Sequence, residues 1–101
     1  MSTLLATPTL RLRTGPNAGK AYDIRGALRL GRHPYNEVSI DDPAVSRYHC
    51  WVVVEDGRVL VEDLASANGT FLNGGRVAKR VPLKAGDTLG LGGTVFVFAE
   101  E

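Results

Sequence analysis

Apolar and charged residues alternate along Leu10-Arg11-Leu12-Arg13, the period-two signature of a strand with one face on a core. Ala21-Tyr22-Asp23-Ile24 and Leu28-Arg29-Leu30 read as further strands, set apart by the turn clusters Gly15-Pro16-Asn17-Ala18-Gly19 and Arg25-Gly26. Val38 and Ile40 mark a brief fourth strand that Asp41-Asp42-Pro43 stops. His49-Cys50-Trp51-Val52-Val53-Val54 departs from alternation: β-branched, aromatic and apolar on both faces, it predicts a central strand. Asp56-Gly57 is a strong hairpin signal, and Arg58-Val59-Leu60-Val61-Glu62-Asp63 is its return strand.

The stretch from Asn68 to Gly75 reads as loops, and short strand pieces follow at Arg76-Val77, Val81-Pro82-Leu83, Thr88-Leu89-Gly90-Leu91 and Thr94-Val95-Phe96-Val97-Phe98. No segment of useful length has helical apolar spacing, and no repeat, linker or low-complexity tract is present. Many short strands with turn signals roughly every eight to twelve residues predict an all-β sandwich or barrel. Residues 1–8 lack periodicity and are expected to form a flexible N-terminal arm, leaving 9–100 as one domain.

A chain of 101 residues supports one domain with a real core. Its net charge of +1 excludes the strongly basic face that nonspecific nucleic-acid binding needs, so an anion has to be met by local geometry. The lone Cys50 excludes an internal disulfide and a cysteine-based zinc site, and its apolar surroundings predict a buried, inert thiol. No apolar stretch approaches the ~20 residues of a membrane span, and Met1-Ser2-Thr3-Leu4-Leu5-Ala6 does not resemble a signal peptide. The expected location is cytoplasmic, without a membrane partner.

Candidate chemistry sits in the polar loops, where function is usually carried on a rigid β scaffold. Arg32 offers a planar fork for phosphate or carboxylate. Ser46 adds a hydroxyl, Arg47 a second guanidinium, and Asn68 an amide able to donate to and accept from a peptide backbone. Together they suit a phosphate attached to a peptide.

Gly31-Arg32, then Ser46-Arg47-Tyr48-His49, then Asn68-Gly69-Thr70-Phe71-Leu72-Asn73-Gly74, in this order and at these separations, resemble a forkhead-associated (FHA) domain. The similarity runs from about Leu10 to Phe98 and includes Asp63-Leu64 and the Leu83-Lys84-Ala85-Gly86-Asp87 turn. The resemblance implies a sandwich of about eleven short, mostly antiparallel strands in two sheets, with loops at one end that bind phosphothreonine peptides. It implies that Arg32 and Ser46 contact the phosphate, with Arg47 at a position that often does, and that Asn68 holds the ligand backbone. Gly31, His49, Gly69, Thr70 and Asn73 match positions that support the loops. The implied partner of this monomer is a phosphothreonine-containing protein in a Ser/Thr kinase pathway, with no cofactor or metal.

Many family members carry threonine directly before Asn-Gly-Thr, where this chain has Ala67. One phosphate-facing hydroxyl is therefore expected to be missing, and Ser66, one residue away in an extended segment, points elsewhere. Pro34, Tyr35, Arg47 and Gly74 are loop residues expected to set specificity beyond the phosphothreonine.

Other readings carry less weight. Arg47 can equally be a solvated surface charge, and Asn68-Gly69 an ordinary turn. Ser46 and His49 lack the Gly-x-Ser-x-Gly context of a hydrolase nucleophile, so no catalytic residue is assigned. His49 and Cys50 are adjacent in a strand and face opposite sides, which excludes a shared metal. Gly15 to Lys20 has the wrong spacing for a phosphate-binding P-loop. Trp51, Phe96 and Phe98 are assigned to the core, and His33 to an exposed loop. Thr3, Thr7 and Thr9 offer phosphorylation sites for self-association through the arm, and the competing reading of function is a phosphate-independent interaction domain using an exposed sheet face.

Overall fold

The computed structural model describes residues 7–100. Eleven strands run β1 (Pro8–Leu12), β2 (Ala21–Asp23), β3 (Ala27–Gly31), β4 (Val38–Ser39), β5 (Cys50–Glu55), β6 (Arg58–Asp63), β7 (Thr70–Leu72), β8 (Gly75–Arg76), β9 (Val81–Pro82), β10 (Thr88–Leu91) and β11 (Thr94–Glu100). They form a six-stranded sheet, β2-β1-β11-β10-β7-β8, and a five-stranded sheet, β4-β3-β5-β6-β9. Every strand pair is antiparallel except β3–β4.

Alternation decides which side chains meet between the sheets. Thr94, Phe96 and Phe98 of β11 are buried while Val95 and Val97 are half-buried, and Leu89 and Leu91 of β10 join the same face. Against them the five-stranded sheet sets Leu28, Leu30, Val38, Cys50, Val52 and Val61. The β5–β6 connection is the two-residue hairpin expected: Asp56 (φ 54°) and Gly57 (φ 75°) are both left-handed, which matches the twist of the flanking strands. Pro82 is tolerated because β9 lies at a sheet edge.

Several expectations need correction. A strand, β7, interrupts what reads as continuous loop from Asn68 to Gly75; two turn signals flank only three residues, too few to show a period. Trp51 is half-buried on the outer face of β5, where its indole N–H donates to Glu62 Oε1 at 2.9 Å and Arg80 lies over the ring at 5.8 Å. β5 is central in its sheet, yet charged neighbours rather than a second layer cover that face. β1 begins at Pro8 and buries Thr9, whose hydroxyl donates to Ala99 O, so Thr9 is not an accessible phosphorylation site. Thr3 and most of the expected arm lie outside the described residues.

Candidate functional site

β3, β5 and β6 are antiparallel neighbours, so the C-terminal ends of β3 and β6 and the start of β5 fall at one end of the sandwich. Loops 32–37, 40–49 and 64–69 therefore converge there. Backbone bonds zip the first two together: Arg32 N–H donates to Ser46 O at 3.0 Å, His33 N–H to Arg47 O at 3.1 Å, and His49 N–H to Leu30 O at 2.9 Å. Gly31 lies under this zipper. A Cβ there would stand 2.1 Å from Arg47 O and 2.8 Å from Asn36 Nδ2, so only glycine fits, for reasons of space.

His49 is wholly buried and joins two loops through its ring. Nδ1 accepts from Ser46 N–H at 3.0 Å, which leaves the ring proton on Nε2, 2.8 Å from Gly69 O. One neutral tautomer thus satisfies both partners. The same imidazole has no hydroxyl partner to activate, because Ser46 reaches it through its amide.

The third loop folds around Asp63. Its Oδ1 accepts from the Ser66 hydroxyl at 2.5 Å and the buried Thr70 hydroxyl at 2.6 Å, and Oδ2 accepts from Ser66 N–H at 3.0 Å. Ser66 Oγ also accepts from Gly69 N–H at 2.9 Å. Burial pushes the Asp63 carboxyl up, but the hydrogen bonds from Ser66 and Thr70 outweigh it and leave it below its ordinary value. Ser66 is spent on this internal network and turned inward, and the side chain of Ala67 offers only a methyl.

Each anchored side chain keeps something for a ligand. Arg32 Nε donates to Val45 O, fixing the guanidinium while both terminal nitrogens have no partner among the described residues. Ser46 Oγ accepts from Ala67 N–H at 3.0 Å, so its own proton is available to an incoming acceptor. Asn68 Nδ2 donates to Ala44 O at 2.8 Å, which orients the amide and leaves Oδ1 for a peptide N–H. Arg47 is clamped by its carbonyl, which accepts from His33 N–H and Asn36 Nδ2, while its exposed guanidinium has no carboxylate partner among the described residues. Arg32, Ser46, Arg47 and Asn68 thus belong to one loop cluster, rich in donors and open to solvent.

Asn73 and Gly74 lie elsewhere. β7 carries the chain to the opposite end, where Asn73 accepts from Thr88 N–H at 2.9 Å and donates to Asp87 Oδ1 at 3.0 Å. Asn73 supports that turn, and Gly74 is remote from the expected groove. β8 returns: the Arg76 guanidinium carbon lies 3.0 Å from where a Gly69 Cβ would sit, adding a basic group that sequence reading missed. Asn36, Asp63 and Asp42 were also missed as site supports. Asp42 accepts from Ala44 N–H at 2.9 Å and from Gly93 N–H at 2.9 Å, hydrogen bonds that lower its carboxyl and tie the 40–49 loop to the β10–β11 turn. Asp42 heads an Asx turn that bonds the backbone two residues on, and the Asp42-Pro43 pair is a turn signal for it. His33, expected to be exposed, is half-buried and stacked on Tyr48.

Residues 28–92 match the FHA domain family, and the chain belongs to that family. It is 37% identical over 92 residues to an oxoglutarate dehydrogenase inhibitor of Corynebacterium diphtheriae, covering 90% of this chain and 64% of the relative. It is also 37% identical over 90 residues to the glycogen accumulation regulator GarA of Mycolicibacterium smegmatis, covering 88% of this chain and 56% of the relative. The chain thus spans less than two thirds of these relatives' lengths. A solved structure described for phosphothreonine-dependent FHA domain interactions superposes with a TM-score of 0.85 at 30% identity, covering 94% of this chain and 97% of the other.

Proposed function

We propose that this chain is a non-enzymatic module that binds phosphothreonine in a partner protein phosphorylated by a Ser/Thr kinase, and so recruits that partner in regulation. One observation carries the reading: Arg32, Ser46 and Asn68 share a loop cluster, each held by a bond to backbone that leaves ligand-directed groups unspent. Family membership and the phosphothreonine dependence of the related solved domain support it.

In this reading Arg32 and the Ser46 hydroxyl hold the phosphate, Arg47 adds a second cation, and Asn68 holds the peptide backbone beside the phosphothreonine. Gly31, His49, Gly69 and Thr70 keep the loops in register. The two relatives suggest the kind of process served, control of a metabolic enzyme or store by a bound regulator. A cytoplasmic setting suits a lone thiol that needs no oxidising compartment. The outer face of the five-stranded sheet favours the phosphate-independent alternative less, because Arg29–Glu37, Arg80–Glu55 and Arg80–Glu62 already pair there.

Titration with a degenerate phosphothreonine peptide library, using phosphoserine and unphosphorylated controls, tests the module. Removing one partner of a charge-assisted contact costs about 2 to 5 kcal/mol, so Arg32→Ala is expected to weaken binding roughly 30-fold or more. Binding that survives Arg32→Ala or phosphatase treatment would overturn the proposal.

A further inference from the structure

The two sheets do not close on each other along one side of the sandwich. β2, three residues long, ends the six-stranded sheet, and β4, two residues long, ends the five-stranded one. Between these edges lies a cavity of about 460 Å³, lined also by the 14–17 turn and the 38–43 segment. Its size falls in the range of roughly 300 to 1,000 Å³ typical of small-ligand sites.

The floor of the cavity is apolar. Leu12, Tyr22 and Phe96 come from one sheet, with Leu12 opposite Phe96 in register and the Tyr22 ring meeting Phe96 edge-on at 6.3 Å, while Val38 and Ile40 come from the other side. Leu12 and Tyr22 pack on the core yet stay half-buried, so hydrophobic surface remains there for an occupant to cover.

The rim is acidic. Asp41 and Asp42 line the cavity and no Lys, Arg or His does; Lys20 Nζ lies 5.0 Å from the centroid of the Tyr22 ring without joining the lining. Asp42 accepts from Ala44 N–H at 2.9 Å, Gly93 N–H at 2.9 Å and the Thr94 hydroxyl at 3.1 Å, and these bonds lower its carboxyl and keep it charged. Asp41 is exposed, and its carboxylate has no partner among the described residues. By contrast Asp23, Glu37, Glu55 and Glu62 each meet an arginine. The exposed Ser39 hydroxyl and Asn17 amide line the same cavity and supply further oxygen acceptors for N–H donors.

We propose that this cavity binds a small organic cation, an ammonium or guanidinium group carried on an apolar body. The body lies on Leu12, Tyr22 and Phe96, and the charged head meets Asp41 with Asp42 behind it. A carboxylate or phosphate is repelled by both, and a bare metal ion finds too few ligands, because among the described residues no three His, Cys, Asp or Glu side chains gather. Arg32, Ser46, Arg47 and Asn68 do not line the cavity, so the inference stands without the phosphothreonine reading.

The test uses phenylbutylamine, phenylbutanol and phenylbutyrate, which share a hydrophobic body and differ in terminal charge. Each is titrated into the whole chain at physiological salt while backbone amide resonances are followed, and the same spectra show that each variant folds. Phenylbutylamine is expected to bind saturably, with shifts centred on Thr14, Asn17, Ser39 and Asp41, and about tenfold more tightly than the alcohol or the acid. Asp41→Asn is expected to weaken the amine about fivefold and leave the alcohol unchanged. Asp56→Asn makes the same charge change at the β5–β6 hairpin and should alter neither. Equal affinity for the three probes, unsaturable shifts spread over the surface, no shifts at all, or an amine affinity indifferent to Asp41→Asn would each overturn the proposal. A lysine-bearing tetrapeptide that binds more tightly than the free amine would give the cavity to a partner's side chain and overturn it as a small-molecule site.

Discussion

Gly31→Ala probes the zipper on which the candidate site depends. The new methyl would sit 2.1 Å from Arg47 O and 2.7 Å from Arg47 C, where real contacts stay beyond 3.0 Å, so the Arg47 peptide must retreat by about 1 Å. That carbonyl accepts from His33 N–H at 3.1 Å and Asn36 Nδ2 at 2.8 Å, and a shift of this size breaks both. Each bond is worth about 0.5 to 1.5 kcal/mol, and stranding the buried Asn36 amide adds about 1 to 3 kcal/mol. The expected loss is about 3 to 5 kcal/mol, a large share of the roughly 5 to 15 kcal/mol that stabilises a domain. In urea, with a slope of about 1 to 3 kcal/mol per M, the midpoint is expected to fall by about 2 M. Gly90→Ala is the control, because its Cβ meets only ordinary 3.9 Å contacts in β10. A Gly31→Ala midpoint as close to wild type as that of Gly90→Ala would refute the steric reasoning.

Asn68→Ala is expected to weaken a phosphothreonine peptide by tenfold or more, since a net hydrogen bond to backbone is worth about 1 kcal/mol and its loss strands a partner; inorganic phosphate, measured by competition, should bind as before. Burial pushes the Cys50 thiol up to about 12, so alkylation near pH 8 should be negligible in the native protein and complete in denaturant. Hydrogen bonding to Arg29 lowers the Glu37 carboxyl to about 2. Because its folded value is depressed, the stabilisation is present above the unfolded value of about 4.3 and is lost as pH falls from there toward 2. The pair is half-exposed, so its share is about 0.5 to 1 kcal/mol, and Glu37→Gln should remove that part of the acid slope in urea titrations.

Legibility followed length and local chemistry. β11 is seven residues rich in β-branched and aromatic side chains, and Asp56-Gly57 names its own turn and with it the return strand β6. β7 is three residues between two turn signals, and its pairing with β10 is a long-range fact. Trp51 looked like core because hydrophobicity alone cannot tell an inner face from an outer one lined by Glu62 and Arg80. Arg32, Ser46 and Asn68 could be singled out by donor type and motif spacing. Asn36 and His33 could not, because Arg47 and Tyr48 lie in another loop and become their neighbours only when β3 and β5 align; Asp63 bonds within its own stretch, to Ser66 and Thr70, at spacings that carry no sequence signal. Arg76 needed the return of β8 to reach Gly69.

β1 pairs with β11 from Pro8↔Glu100 to Leu12↔Phe96, so the two boundary strands of the domain bring Pro8 and Glu100 side by side. β11 starts at the β10–β11 turn, near Asp42 and the converging loops, and runs seven residues away from them, about 23 Å at strand rise. A tether, a fluorophore or a neighbouring domain joined at either boundary therefore meets the module at the pole opposite its loops. Such geometry makes the unit portable: it can be spliced into a longer polypeptide or fixed to a sensor surface with its reading end facing outward.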